Sequence, residues 1–150
     1  MKYGDDSVDK PVHLIKLCVG AEAVEDLLAW QNHPRAKGPD GQPRHVTRMW
    51  PKREAEIVGQ GSLYWVFKGL VLCRQPIVRF DEVIGHDGIR RCGIVLDPTI
   101  TRVTPALKRP FQGWRYLQAA DAPLDLREGR EADDPLPDTL ARELADIGLL

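Results

Sequence analysis

Three short segments interleave aromatic rings with cations, and these are the residues whose types and spacing point to chemistry. They are Arg44-His-Val-Thr-Arg-Met-Trp-Pro-Lys-Arg53, Ser62-Leu-Tyr-Trp-Val-Phe-Lys-Gly69 and Lys108-Arg-Pro-Phe-Gln-Gly-Trp-Arg-Tyr-Leu117. Aromatic faces beside guanidinium and ammonium groups grip a polyanion that carries stackable bases. The competing reading is ordinary core plus ordinary solvated surface.

The charge distribution favours the first reading. Net charge over all 150 residues is −1, yet residues 44–115 alone carry +7, against −2 for residues 1–43 and −6 for residues 116–150. A basic middle between acidic ends fits an anion-binding face with a self-masking tail.

Within the first segment, Arg48, Lys52 and Arg53 surround Trp50 at the expected start of a helix, where free N–H groups and cations would favour a phosphate. In the second, strand alternation sends Tyr64 and Lys68 to one face and Trp65 and Phe67 to the other. Burial of Trp65 and Phe67 would leave Tyr64 and Lys68 lining a groove. In the third, a proline and a glycine constrain Gln112 between Phe111 and Trp114, with Arg109 and Arg115 flanking. A base stacked on Trp114 or Phe111 would present its edge to Gln112. If these segments act together, Arg48, Lys68, Gln112 and Arg115 line one cleft. The alternative for the third segment is a clamp whose aromatics close the core.

Signals for catalysis are thin. His13, His33, His45 and His86 have no metal-ligand spacing, and no phosphate-binding loop, dinucleotide glycine motif or nucleophile elbow occurs. No cofactor and no metal are expected. An enzyme would have to be assembled from Lys68, Glu54 or Glu56 and His45, with burial lowering the lysine pKa, and would act as a small hydrolase on a nucleoside-like ligand. Cys18, Cys73 and Cys92 are odd in number and set in apolar sequence, which argues for free thiols in a reducing cytoplasm. No apolar run approaches the roughly 20 residues that cross a bilayer.

These segments need elements to hold them. Residues 12–19 read as a strand ended by Gly20. Residues 21–32 read as a helix with Val24, Leu27 and Leu28 on one face and acids in its first turns. Residues 32–43 form a proline-rich loop, and a second, shorter helix is expected from Pro51 to Gly59. Strands follow at 62–72 and 72–80, with Gly69 at a bend or bulge, then at 89–96 after a Gly85–Gly88 turn, at 99–103 and at 113–117. The organisation is a disordered stretch at 1–11, a single α+β domain at 12–126, and an acidic tail at 127–150. In that tail Asp138 caps an amphipathic helix bearing Leu140, Leu144 and Ile147. The fold class is α+β, with a small curved sheet or barrel and two N-terminal helices.

At His13-Leu-Ile-Lys-Leu-Cys-Val-Gly20, Val24-Glu-Asp-Leu27, His45 to Arg53, Gly61 to Val66 with Lys68-Gly69, and Arg109 to Leu117, the chain resembles an uncharacterised family of short bacterial proteins, the domain of unknown function numbered 1489. The order of strand, helix, aromatic strand ending Lys-Gly and late Gly-Trp-Arg-Tyr is also similar to the PUA, ASCH and EVE superfamily of RNA-binding β-barrels. That second resemblance implies a PUA-like barrel that binds RNA, in preference to DNA, or a modified nucleobase, with no membrane partner. A third reading is a protein-interaction module built on the acidic tail and terminal helix.

Overall fold

The computed structural model describes residues 11–126. Of the expected disordered stretch at 1–11, residues 1–10 lie outside the described residues, as does the acidic tail with its helix at 127–150.

Strand β1 (Val12–Leu17) is shorter than expected. Its end is set by Cys18, whose N–H donates to the Val66 carbonyl at 2.8 Å before the chain turns at Gly20. Helix α1 (Val24–Gln31) follows, with the Asp26 carboxylate accepting from the N–H groups of Glu22 and Ala23 at 2.9 and 3.1 Å. That carboxylate satisfies donors that the start of a helix leaves open. After a 3-10 turn at Pro34–Ala36 comes β2 (Arg44–Thr47), then α2 (Glu54–Ile57). The second helix is a single turn starting three residues after Pro51.

Strand β3 (Ser62–Phe67) lies parallel to β1, so everything between them is a crossover. Gly61 at its entrance leaves no room for a side chain, since a Cβ there would stand 2.2 Å from the Val12 carbonyl oxygen. Strand β4 (Leu70–Ile84) reverses directly from β3, with Phe67 opposite Leu70. Gly69 is therefore part of a two-residue turn and not a bulge. Both turn residues are left-handed, Lys68 at φ 46° and Gly69 at φ 88°, as a hairpin of type I′ requires.

Strands β5 (Arg90–Leu96) and β6 (Thr101–Leu107) run along the same edge of β4 as one interrupted strand. The break falls opposite Pro76, whose carbonyl accepts from the Asp97 N–H at 3.0 Å. A proline at this change of partners costs no ladder bond. The expected turn at Gly85–Gly88 does join β4 to β5. Strand β7 (Trp114–Gln118) pairs antiparallel with β1. The order is β2-β5-β4-β3-β1-β7, with β6 also on β4. A bridge from Val103 to Asp125 brings the following segment against β6.

The fold is thus α+β and dominated by a mixed sheet of seven strands that is not closed into a barrel. All six residues of β3 are buried, because both sheet faces are covered. One face holds the larger core, with Leu14, Leu63, Trp65, Phe67 and Trp114 packed with Val24 and Leu27 of α1 and Ile57 of α2. The other gathers Ile15, Tyr64, Val66, Val71 and Val103. Buried amides tie α1 to the sheet. Gln31 Nε2 donates to Gln75 Oε1 at 2.8 Å, Gln75 Nε2 returns a bond to Gln31 Oε1 at 2.7 Å, and the Trp65 indole N–H also donates to Gln75.

Candidate functional site

The first and third aromatic-basic segments, far apart in sequence, are joined. The Trp114 indole N–H donates to the Met49 carbonyl at 2.9 Å. The Tyr116 hydroxyl accepts from the backbone N–H groups of Lys52 and Arg53 at 2.9 and 3.3 Å. Trp114 and Tyr116 lie edge to face at 4.9 Å, so β7 holds segment 48–53 against the larger core. Trp114 is only 6% exposed. Its ring is core and its donor is used, which corrects the expectation of a stacking platform there.

Tyr64 is likewise corrected. It is 4% exposed, set against His13 with ring centroids 5.0 Å apart, and does not line a groove. Trp65 and Phe67 are buried as expected. Burial raises the Tyr64 pKa and lowers that of His13, whose Nδ1 accepts from the Ser62 N–H at 2.9 Å.

The expected phosphate site at the second helix also changes. Helix α2 opens on Glu54 and Glu56, both negative. Glu54 accepts from the Trp50 indole at 3.0 Å, and Glu56 holds the Arg53 guanidinium at 2.7 Å. Trp50 is half-buried, with the Arg90 guanidinium 4.3 Å over its ring and Phe80 at 6.2 Å. Carboxylates at that helix start repel a phosphate.

On the opposite face of β7 a second group forms. Phe111 packs against the Ile15–Tyr64 cluster, with Lys108 and Arg115 at 5.6 and 5.4 Å from its ring centre. Arg115 also donates to the carbonyls of Gln112 and Trp114. Gln112 and Arg109 are exposed, and Gly113 takes a left-handed φ of 67°. Arg48 and Lys52 are exposed beside the Trp114 face. Arg48, Lys68, Gln112 and Arg115 therefore do not share one cleft. Strand alternation in β7 puts Trp114, which is hydrogen-bonded to Met49 next to Arg48, on one face and Arg115 on the other, with Trp114 opposite Lys16 and Arg115 opposite Ile15.

Lys68 stands apart, at the β3–β4 turn. It is paired with Glu22 at 2.9 Å and borders a cleft of about 330 Å³ with Leu17, Val66, Lys108 and Pro110. More than half of the Lys68 side chain is exposed, without the burial that a proton-shuttling lysine requires. Of the residues named for a hydrolase, Lys68 is held by Glu22, Glu54 by the Trp50 indole and Glu56 by Arg53, while His45 lies edge-on to Trp65 at 5.3 Å.

Availability of charge separates the cations. Among the thirteen in residues 44–115, seven are ion-paired: Arg53, Lys68, Arg74, Arg79, Arg90, Arg91 and Arg102. No carboxylate of the described residues lies within ion-pair distance of Arg44, Arg48, Lys52, Lys108, Arg109 or Arg115. All six lie in the two segments that meet across β7.

Sequence reasoning passed over Lys16, half-buried in β1 with Trp65 and Trp114 as its partners on either side. The signal was a charge at a core-facing position of an apolar strand. Burial lowers its pKa, and burial together with Lys16 lowers that of His45 to about 4. The Nε2 atom of His45 is buried without a hydrogen-bond partner. The cysteines are free, and burial pushes the Cys18 and Cys92 thiols up to about 11 and about 12. Such thiols are protonated at neutral pH and make poor nucleophiles. Among the described residues no three His, Cys, Asp or Glu gather as a metal-binding set, and no helix is long and apolar enough to cross a membrane.

No curated protein and no solved structure matches the chain. A protein family described as "Protein of unknown function (DUF1489)" matches residues 14–150. The resemblance carried by the aromatic-basic segments is thereby shown, and the chain belongs to the DUF1489 family.

Proposed function

We propose that the chain binds single-stranded RNA, or a modified base within it, across the β7 edge. The single observation that supports this is the concentration, in the two segments clamped by Trp114 and Tyr116, of cations that have no carboxylate partner among the described residues. Arg48 and Lys52 meet backbone phosphates on one side of the strand, and Lys108, Arg109 and Arg115 meet them on the other. Phe111 offers the half-buried ring on which a base stacks, with the exposed amide of Gln112 beside it. The strand edge between them carries backbone donors and acceptors for sugar and base. The order of the elements in the open sheet supports reading the fold as an open relative of the PUA, ASCH and EVE barrels. Function drawn from that relation is analogy, and the site carries the argument. A cytoplasmic location fits both this partner and three free thiols.

Fluorescence anisotropy with labelled single-stranded RNA and DNA of matched sequence tests the reading. RNA should bind more tightly than DNA, with affinity falling steeply as salt rises, because each neutralised phosphate releases counterions. Binding that ignores salt, or none to either strand at low salt, contradicts it.

A further inference from the structure

The cleft of about 330 Å³ beside Lys68 is chemically unlike the β7 edge. Its floor is aliphatic, made by Leu17 and Val66, and Val19 stands on its lip with 86% of its surface exposed. Among the described residues no aromatic ring and no side-chain amide lines it, so the described lining lacks the groups that stack on or read a base. Its volume falls at the small end of ligand pockets, which suits a compact molecule and not a polymer.

Three charges border this floor. Glu22 already places a carboxylate on Lys68 at 2.9 Å, which demonstrates that the ammonium is accessible to such a group. Lys108 borders the same cleft and has no carboxylate partner among the described residues. Two cations and one anion leave a single positive charge to be met.

The position of Lys68 is itself informative. It is the only non-glycine residue with positive φ among those described, at 46°. Asparagine, aspartate or glycine suits this turn position better than lysine. Strain kept at such a place points to use of the side chain.

We propose that the cleft binds a small amphipathic monocarboxylate. Its aliphatic body lies on Leu17 and Val66 beneath Val19, and its carboxylate accepts from the Lys108 ammonium and shares Lys68 with Glu22. The site is independent of the nucleic-acid reading, with Lys108 the one residue common to both.

Titration of the isotope-labelled full chain with hexanoate, octanoate and decanoate, read by amide chemical shifts, tests this, with octanol and acetate as controls. Octanoate should bind saturably and shift the amides of Val19, Gly20, Gly69 and Lys108. Octanol, which lacks the charge, and acetate, which lacks the tail, should each bind at least about tenfold more weakly. Lys68→Asn preserves the turn and should weaken octanoate roughly tenfold, while Glu22→Gln, which frees Lys68, should tighten it about threefold. Equal affinity for octanol or for acetate, shifts that map elsewhere, no saturation, or unchanged affinity in Lys68→Asn would each overturn the proposal.

Discussion

The arm formed by β4 and β5 and the edge formed by β7 are comparably rich in arginine and lysine, yet among the described residues only the edge leaves its cations without carboxylate partners. On the arm each cation has its own acid: Arg79 bridges Asp40 and Asp81, Arg90 meets Glu82, and Arg91 meets Asp87. At the edge, Arg48, Lys52, Lys108 and Arg109 have none among the described residues. The net +7 of residues 44–115 already subtracts Asp81, Glu82 and Asp87, but it does not show that the cations left without a carboxylate partner among the described residues gather at the edge. Exposed pairs of the arm's kind add little stability, but they cancel the local field that draws in a polyanion.

The strongest way to break the contrast is to cut the clamp that assembles the edge. Trp114→Ala deletes a buried ring and should cost about 3–5 kcal/mol in chemical denaturation. Tyr116→Phe removes only the hydroxyl that accepts from Lys52 and Arg53, and should cost about 1 kcal/mol. In that variant RNA affinity should fall while the protein stays folded, since the cations of segment 48–53 lose their anchor.

An effect spread over a range of pH is expected from acid. His45 is neutral in the fold, because burial, and to a lesser degree the nearby Lys16 charge, lowers its pKa to about 4 from an ordinary 6.5. Protons bind the unfolded chain first, so this contribution is full above pH 6.5 and is lost as pH falls toward 4. Stability should decline there by at most about 1.4 kcal/mol per pH unit from this group. His45→Phe should flatten that slope in pH-dependent melts, and an unchanged slope would mean that other groups govern it. The smallest change is expected at the cleft. Lys68→Asn relieves a left-handed lysine and loses an exposed ion pair, for a net gain of about 0.5 kcal/mol. A drop in melting temperature would contradict the turn strain.

Much of the framework was legible because local rules and tertiary packing agree. Val24 and Leu27 mark the buried face of α1, and Gly85-His-Asp-Gly88 marks the β4–β5 turn. Strand β2 was not legible, since Arg44-His-Val-Thr47 has one apolar residue and becomes a strand only by pairing with β5. The Lys68–Gly69 reversal was missed because lysine is not a residue that announces a left-handed turn. For the site, the sequence singled out the first and third segments, which meet at β7, but could not show which rings are core. Trp114 and Met49 are 65 residues apart, and their bond depends on the crossover that sets β1 beside β3. Ion pairing is equally non-local, as Arg79 with Asp40 shows.

The most direct test of the account removes equal charge from the two regions and compares the salt dependence of RNA binding. One triple variant carries Arg48→Gln, Lys52→Gln and Arg109→Gln, and the other carries Arg79→Gln, Arg90→Gln and Arg91→Gln. The edge variant should bind single-stranded RNA far more weakly at low salt, with the slope of log affinity against log salt reduced by about 2. The arm variant should keep the slope of the unaltered protein. Equal losses in the two variants, or a larger loss from the arm, would contradict the claim that unpaired cations at the β7 edge form the binding surface.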